Sequence, residues 1–252
     1  MAHSGLCCGL YRGTIYLRDL SNPNAALLPV GNAEATINQT MAEVTTPNFQ
    51  SLGGNACKVE YPESVTIDMT LHCTSPENLS MAFLGEYGQL EAAAVVDEEH
   101  TVRAIGELIA FEHAPDKTAP ITVVNGATTY AVNTDYVVTN AGIKIIEGST
   151  IPLGTVVEIS YSYGDNWYVE AQTVAQKTFE LVLDGANYGE DGQRAVVLKA
   201  WRVKMAPTES FILIGTEMAS IALTGEILRD ESKATGSKFF KVEFGAEVSG
   251  AY

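Results

Sequence analysis

The chain has 252 residues, a length that suits one large β domain or two smaller ones. A hydrophobic fraction of 46% and a charged fraction of 18% exclude wholesale disorder. With 15 Lys and Arg against 31 Asp and Glu, the formal net charge of −16 disfavours a surface that grips nucleic acid or an anionic membrane.

The first residues, MAHSGLCCGLYRG, lack a basic lead and a long apolar core, so no signal peptide is expected. No run of about 18 apolar residues predicts a membrane helix. Cys7, Cys8, Cys57 and Cys73 have neither CxxC nor zinc-knuckle spacing, and a reducing cytoplasm is expected. Residues 1–12 read as an arm. GTIYLRDL is a short strand, and SNPNAA is turn chemistry.

The stretch from Asn32 to Glu86 organises the rest. NAEATINQT reads as a strand, and MAEVTTPNFQSLGGNA reads as a long polar loop. CKVEY and SVTIDMTLHC read as two strands joined through Pro62 and Glu63. In the second of these, Val65, Ile67, Met69, Leu71 and Cys73 alternate with Thr66, Asp68, Thr70 and His72. That period of two predicts a strand with one core face and one wet face. SPENLSMAFLGE then reads as a helix of about three turns. Ser75 caps it, Pro76 suits its first position, and Gly85 ends it.

From Ala93 to Thr173 the segments become short and separated by turns such as Asn125-Gly126, as in a small β-sandwich. Between Asp97 and Glu170 lie eleven acidic and three basic residues, half of the chain's negative excess. These residues read as an inserted β module, 93–173, inside a core made of 13–92 and 174–252. FELVLDG, VVLKAWRV, ASIALTGEILRD and KFFKVEFG are the late core strands, with Val197, Trp201, Val203 and Met205 expected on one face. A helical turn is expected near Ala206 to Glu209.

No catalytic constellation emerges. His3, His72, His100 and His113 lack metal-ligand spacing, and no P-loop, GxSxG or dinucleotide fingerprint occurs. Glu98-Glu99-His100 reads as a charged turn rather than a cation site. Asp184 to Gly192 reads as a hairpin turn rather than a calcium loop. Tyr161, Tyr163, Trp167 and Tyr168 read as aromatic packing rather than a sugar platform. No catalytic residue, cofactor or metal is assigned.

The order of elements resembles the tail tube (major tail) proteins of tailed bacteriophages. Four features carry the resemblance: the opening VGNAEATINQT, the loop Met41 to Ala56, the pair CKVEYPESVTIDMTLHC running into SPENLSMAFLGE, and the late strands. It covers roughly residues 10–90 and 175–246. It implies a mainly β fold: an antiparallel β-sandwich or barrel with one flanking α-helix, here with an inserted small β-sandwich.

It further implies a homo-oligomer. Hexameric rings would stack into a tube around a β-barrel lumen through which genomic DNA passes without specific binding. Other tail proteins would be partners, the virion the final location, and the host bacterial cytoplasm the site of synthesis. Met41 to Ala56 would be the loop that stacks rings, with Val44, Phe49 and Leu52 as its apolar anchors; local packing in the same subunit is the alternative. Thr66, Asp68, Thr70 and His72 would face the lumen. The insert would be decoration or a cell-surface contact. The competing expectation is a soluble β-sandwich module that binds carbohydrate or a receptor and forms no tube.

Overall fold

Short β-branched and aromatic segments recur along the whole chain, and in the computed structural model most of them pair as strands. The structure describes residues 9–47, 55–189 and 192–247. In chain order the elements are β1 (Gly9–Asp19), β2 (Leu28–Pro29), β3 (Ala33–Pro47), β4 (Asn55–Leu71) and α1 (Pro76–Ala82). Then come β5 (Glu86–Leu90), β6 (Ala93–Thr101), β7 (Leu108–Ala110), β8 (Thr122–Asn125) and β9 (Thr128–Tyr130). β10 (Tyr136–Val138), β11 (Gly142–Ile145), β12 (Val156–Tyr163) and β13 (Asn166–Glu170) follow. β14 (Thr178–Gly189), β15 (Gly192–Met205), β16 (Ile221–Ile227) and β17 (Phe240–Glu247) complete the series. The chain is mainly β, with one short α-helix among the described residues and several antiparallel sheets.

It divides into two compact units, Met1–Glu86 with Val169–Tyr252, and Tyr87–Tyr168. In the first unit the strand order is β2-β1-β14-β15-β16-β4-β3. One edge of β15 pairs with β14 along its length. The other is shared, with β17 along Arg194–Ala200 and β16 along Val203–Met205. Val65, Ile67, Met69 and Leu71 are buried, as their alternation predicts, and they join Ile15, Leu17, Leu181, Ala200, Val203, Met205, Ile221, Leu223 and Ile227 in one core.

Helix α1 begins where its sequence says: the Ser75 hydroxyl accepts from the Asn78 amide at 3.3 Å, and Pro76 opens the first turn. The helix has seven residues rather than three turns. Leu84, not Gly85, takes the left-handed conformation after it (φ 51°), and the Gly85 amide then bonds the Ser80 carbonyl at 2.7 Å. Buried Asn78 donates to the carbonyls of Val30 at 2.9 Å and Cys73 at 2.8 Å, which ties the helix to the strand ends beneath it.

Other expectations change. Gly9 to Arg12 belong to β1, paired with Gly189 to Ala186, so strand structure reaches into the expected arm. Ala206 to Glu209 are irregular, not helical. A bulge next to Trp201 breaks the alternation of β15. Ala200, Val203 and Met205 are therefore buried. Trp201 instead lies under the Lys233 ammonium, 4.2 Å from its ring centre, and donates to the Ser237 carbonyl.

The second unit contains a four-stranded sheet, β6-β12-β8-β9, and a three-stranded sheet, β10-β11-β7. Its separate core includes Val102, Ile109, Val123, Tyr136, Ile143, Ile145, Val157, Ile159 and Tyr161. Buried Asp135 accepts three hydrogen bonds, from the Ala131 amide and from the Thr150 amide and hydroxyl. The Thr150 amide is the main reason that its carboxyl sits below the ordinary aspartate range. β5 and β13 form a two-stranded ribbon where the chain passes between the units.

Candidate functional site

Of the segment expected as a loop from Met41 to Ala56, the described residues, 41–47 and 55–56, are strand, and 48–54 lie outside the described residues. β3 and β4 stay paired far beyond the core, through Ala42–Tyr61, Glu43–Glu60, Val44–Val59, Thr45–Lys58 and Thr46–Cys57. Pro62 does not split β4. It stays paired with Met41, next to a bulge where Glu63 is left without a register partner. Beyond that bulge no third strand joins among the described residues, because β16 pairs with β4 only from Thr66 to Leu71. The result is a two-stranded arm running out from the sheet.

The arm has two different faces. Cross-strand partners share a side, so Glu43, Thr45, Lys58 and Glu60 lie on one. There Lys58 bridges Glu43 at 2.8 Å and Glu60 at 2.6 Å. On the other side lie Ala42, Val44, Thr46, Cys57, Val59 and Tyr61. Val44 and Val59 are each 54% exposed, and Tyr61 is 47% exposed. Single exposed apolar residues are ordinary, but a contiguous stripe of them marks a contact surface. Cys57 on this stripe is a free, exposed thiol, and half-buried Cys73 is also free.

Of the three expected anchors, Val44 is therefore on the arm's apolar stripe, as a strand residue. Phe49 and Leu52 lie outside the described residues. Tyr61 and Val59 were not singled out from the sequence; the alternation of CKVEY was their only signal.

Thr66, Asp68 and Thr70 lie on the face of β4 opposite the core, and His72 lies just past its end. Asp68 links three strands: it accepts from the Asn38 amide group at 2.6 Å and from the Thr224 hydroxyl at 2.9 Å. His72 stands 3.9 Å from Glu34. Glu226, in register with Thr66, is exposed too. This wet surface is polar and carries more acid than base.

The second unit holds the remaining titratable cluster. Glu98 and His100 lie on strand β6 rather than in a turn, 2.6 Å apart, and Glu98 also accepts from the Glu112 amide. Burial pushes the Tyr161 hydroxyl up to about 12, and it accepts from the His113 amide at 3.1 Å. Tyr161 stacks on Phe111 with ring centres 4.4 Å apart. A neutral, stacked tyrosine and a paired histidine describe a packed structural network. Trp167 and Tyr168 depart from the packing expected of them, since both are exposed, and Trp167 lies 6.3 Å from the Tyr87 ring. Among the described residues no group of three or more His, Cys, Asp or Glu is arranged to hold a metal. Asp184 to Gly189 belong to β14 rather than to a turn. Among the described residues no helix is long and apolar enough to cross a membrane.

Fold and surface together define a mainly β protein whose most distinctive surface is an apolar-striped arm on an open sheet. The chain belongs to the family described as "Protein of unknown function UCP028589", whose model matches residues 10–243. No curated protein matches it.

Proposed function

We propose that this chain is the subunit of a phage tail tube. Copies close into hexameric rings, and the rings stack into the conduit for DNA. The observation that carries this reading is the two-stranded arm, whose apolar stripe is exposed and has no partner among the described residues of the subunit. A free-standing hairpin is marginal in water, so an arm this long is stabilised by what it docks on. The outer edge of β3 adds support: it is fifteen residues long and no other described strand pairs with it. Open edges of that length invite pairing, and ring closure satisfies them with a defined partner.

On this reading the first unit is a β-sandwich whose wet faces join around the ring as an inner barrel. Thr66, Asp68, Thr70 and His72 line the lumen. Acidic and neutral side chains repel phosphate, so genomic DNA slides without being held. Other tail proteins cap the tube, which is assembled in the host bacterial cytoplasm and ends in the virion. The second unit is a small β-sandwich that decorates the subunit and is dispensable for assembly. The reading calls for no catalysis and no cofactor.

The test removes the arm without leaving half a hairpin. Residues 41–63 are replaced by Asn-Gly, which joins the register partners Thr40 and Ser64 through a two-residue turn. The expected product is a folded subunit that forms no tubes under conditions where the full chain does. Tubes from the arm-deleted chain would refute the arm's role.

A second reading, a glycan-binding β module without a tube, has one observation in its favour: the exposed Tyr87 and Trp167 rings lie side by side. Glycan binding by a chain that stays monomeric would favour it.

A further inference from the structure

The chain has a second exposed apolar element, and it sits at the far end of the strand that carries the arm. Between β15 and β16 the segment Ile212 to Met218 projects Leu213, Ile214 and Met218, which are 85%, 97% and 93% exposed. The base of this loop is fixed. Phe211 bridges to Ile221 and meets the Phe83 ring edge-on at 5.7 Å. The Thr208 amide donates to the Ala82 carbonyl at 2.8 Å. Ile221 in turn pairs with Leu71, the last residue of β4. The arm ends at the other extreme of β4, where Asn55 pairs with Pro47. The stripe residues of β4, Cys57 to Tyr61, lie 14 to 10 residues from Leu71, roughly 35–45 Å along the strand.

We infer that loop 212–218 of one copy receives the apolar stripe of the arm of the next copy, so that subunits join head to tail along the direction of β4. This rests on the tube reading above and names the surface on which the arm docks. Three arguments carry it. First, one paired strand separates the two apolar surfaces, so they cannot meet within one molecule. Second, the surfaces differ and lie at opposite ends, so their contact is heterologous and propagates instead of closing as a dimer.

Third, the area fits a repeated contact. Leu213, Ile214 and Met218 offer on the order of 300 Å², and the stripe offers about as much. The sum is well below the ~1,200–2,000 Å² of a stable two-body interface. One such contact does not hold two subunits, but a ring of them acting together does. The occupant is a second copy rather than a basic partner, and salt separates the two. Chains of charge −16 that meet through apolar surface associate better as salt rises, whereas binding to a basic partner weakens.

The test uses the arm's own thiol. In a full-length chain with Cys7→Ser, Cys8→Ser and Cys73→Ser, Cys57 remains on the stripe, and Ile214→Cys places a second thiol on the loop. Assembled and oxidised, this protein is expected to give a ladder of disulfide-linked oligomers that needs both thiols. In parallel, Ile214→Ser is expected to raise the critical concentration for assembly roughly tenfold or more. The melting of the monomer stays unchanged, because the side chain is exposed. Rising salt is expected to lower the wild-type critical concentration. Tubes that form without any ladder and tolerate Ile214→Ser would overturn the arm-to-loop contact while leaving the tube reading in place. Cross-linking that stops at dimer would overturn head-to-tail order. A chain that never assembles overturns both.

Discussion

Asp135 offers the sharpest stability test. It is 4% exposed, and its carboxylate accepts from the Ala131 amide at 2.9 Å, the Thr150 amide at 2.7 Å and the Thr150 hydroxyl at 2.8 Å. Asp135→Ala removes both acceptor oxygens and strands three donors. Hydrogen bonds to a charged group contribute roughly 1.5–3 kcal/mol each and do not add fully, so the expected loss is about 3–5 kcal/mol. A unit the size of residues 87–168 has a stability on the order of 4–12 kcal/mol, so this is a large part of it. The melting midpoint of that unit should fall by roughly 15 °C or more. Asp135→Asn should lie between, since it keeps one acceptor and turns a donor towards a donor.

The pH dependence has a definite sign. The folded carboxyl lies below its unfolded value, chiefly through the Thr150 amide. Its stabilisation is full above the unfolded pKa of about 4 and is lost as pH falls through the folded value. The alanine variant should lack that component of the acid transition. Calorimetry from pH 7 downward measures both effects. Hydrogen exchange over residues 128–151 should show faster opening in the variant. A loss below about 1 kcal/mol at pH 7 would refute the assignment of these three bonds as the anchor of the 131–150 turn.

Asn78→Ala should cost about 2–3 kcal/mol in the first unit, because the Val30 and Cys73 carbonyls lose their buried donor; chemical denaturation checks it, and a neutral result would contradict the tie between helix and strand ends. Gly225→Ala should destabilise by about 1–3 kcal/mol, since a Cβ there meets Val203 Cγ1 at 2.6 Å and Met205 Sδ at 2.8 Å. An unchanged melting midpoint would mean that the β15–β16 packing is looser than described.

How far the sequence could be read depended on how each segment meets its surroundings. Val65 to Leu71 was legible because one face meets a core and the other meets water, so alternation records both. The start of α1 was legible because Ser75, Pro76 and Glu77 act locally. Of the arm only CKVEY was legible as strand; its partner was not, because both faces are exposed and no burial pattern marks it. Pro62 looked like a strand end because a bulge is a tertiary feature of two chains, not of one. The same holds for Trp201, where a bulge moves the side chain off the core face. Val44 was found for its apolar character. Tyr61 and Val59 had only the alternation of CKVEY as a signal and joined Val44 in a stripe only through cross-strand pairing; loop 212–218 became visible only through its exposure.

The central claim is self-assembly, and electron microscopy of the purified full-length chain tests it most directly. Across a range of concentration and salt, the account predicts tubes of constant width built of stacked six-subunit rings, with the β3–β4 arm at the joint between rings. A chain that stays monomeric at every concentration and ionic strength, with its fold intact, would contradict it.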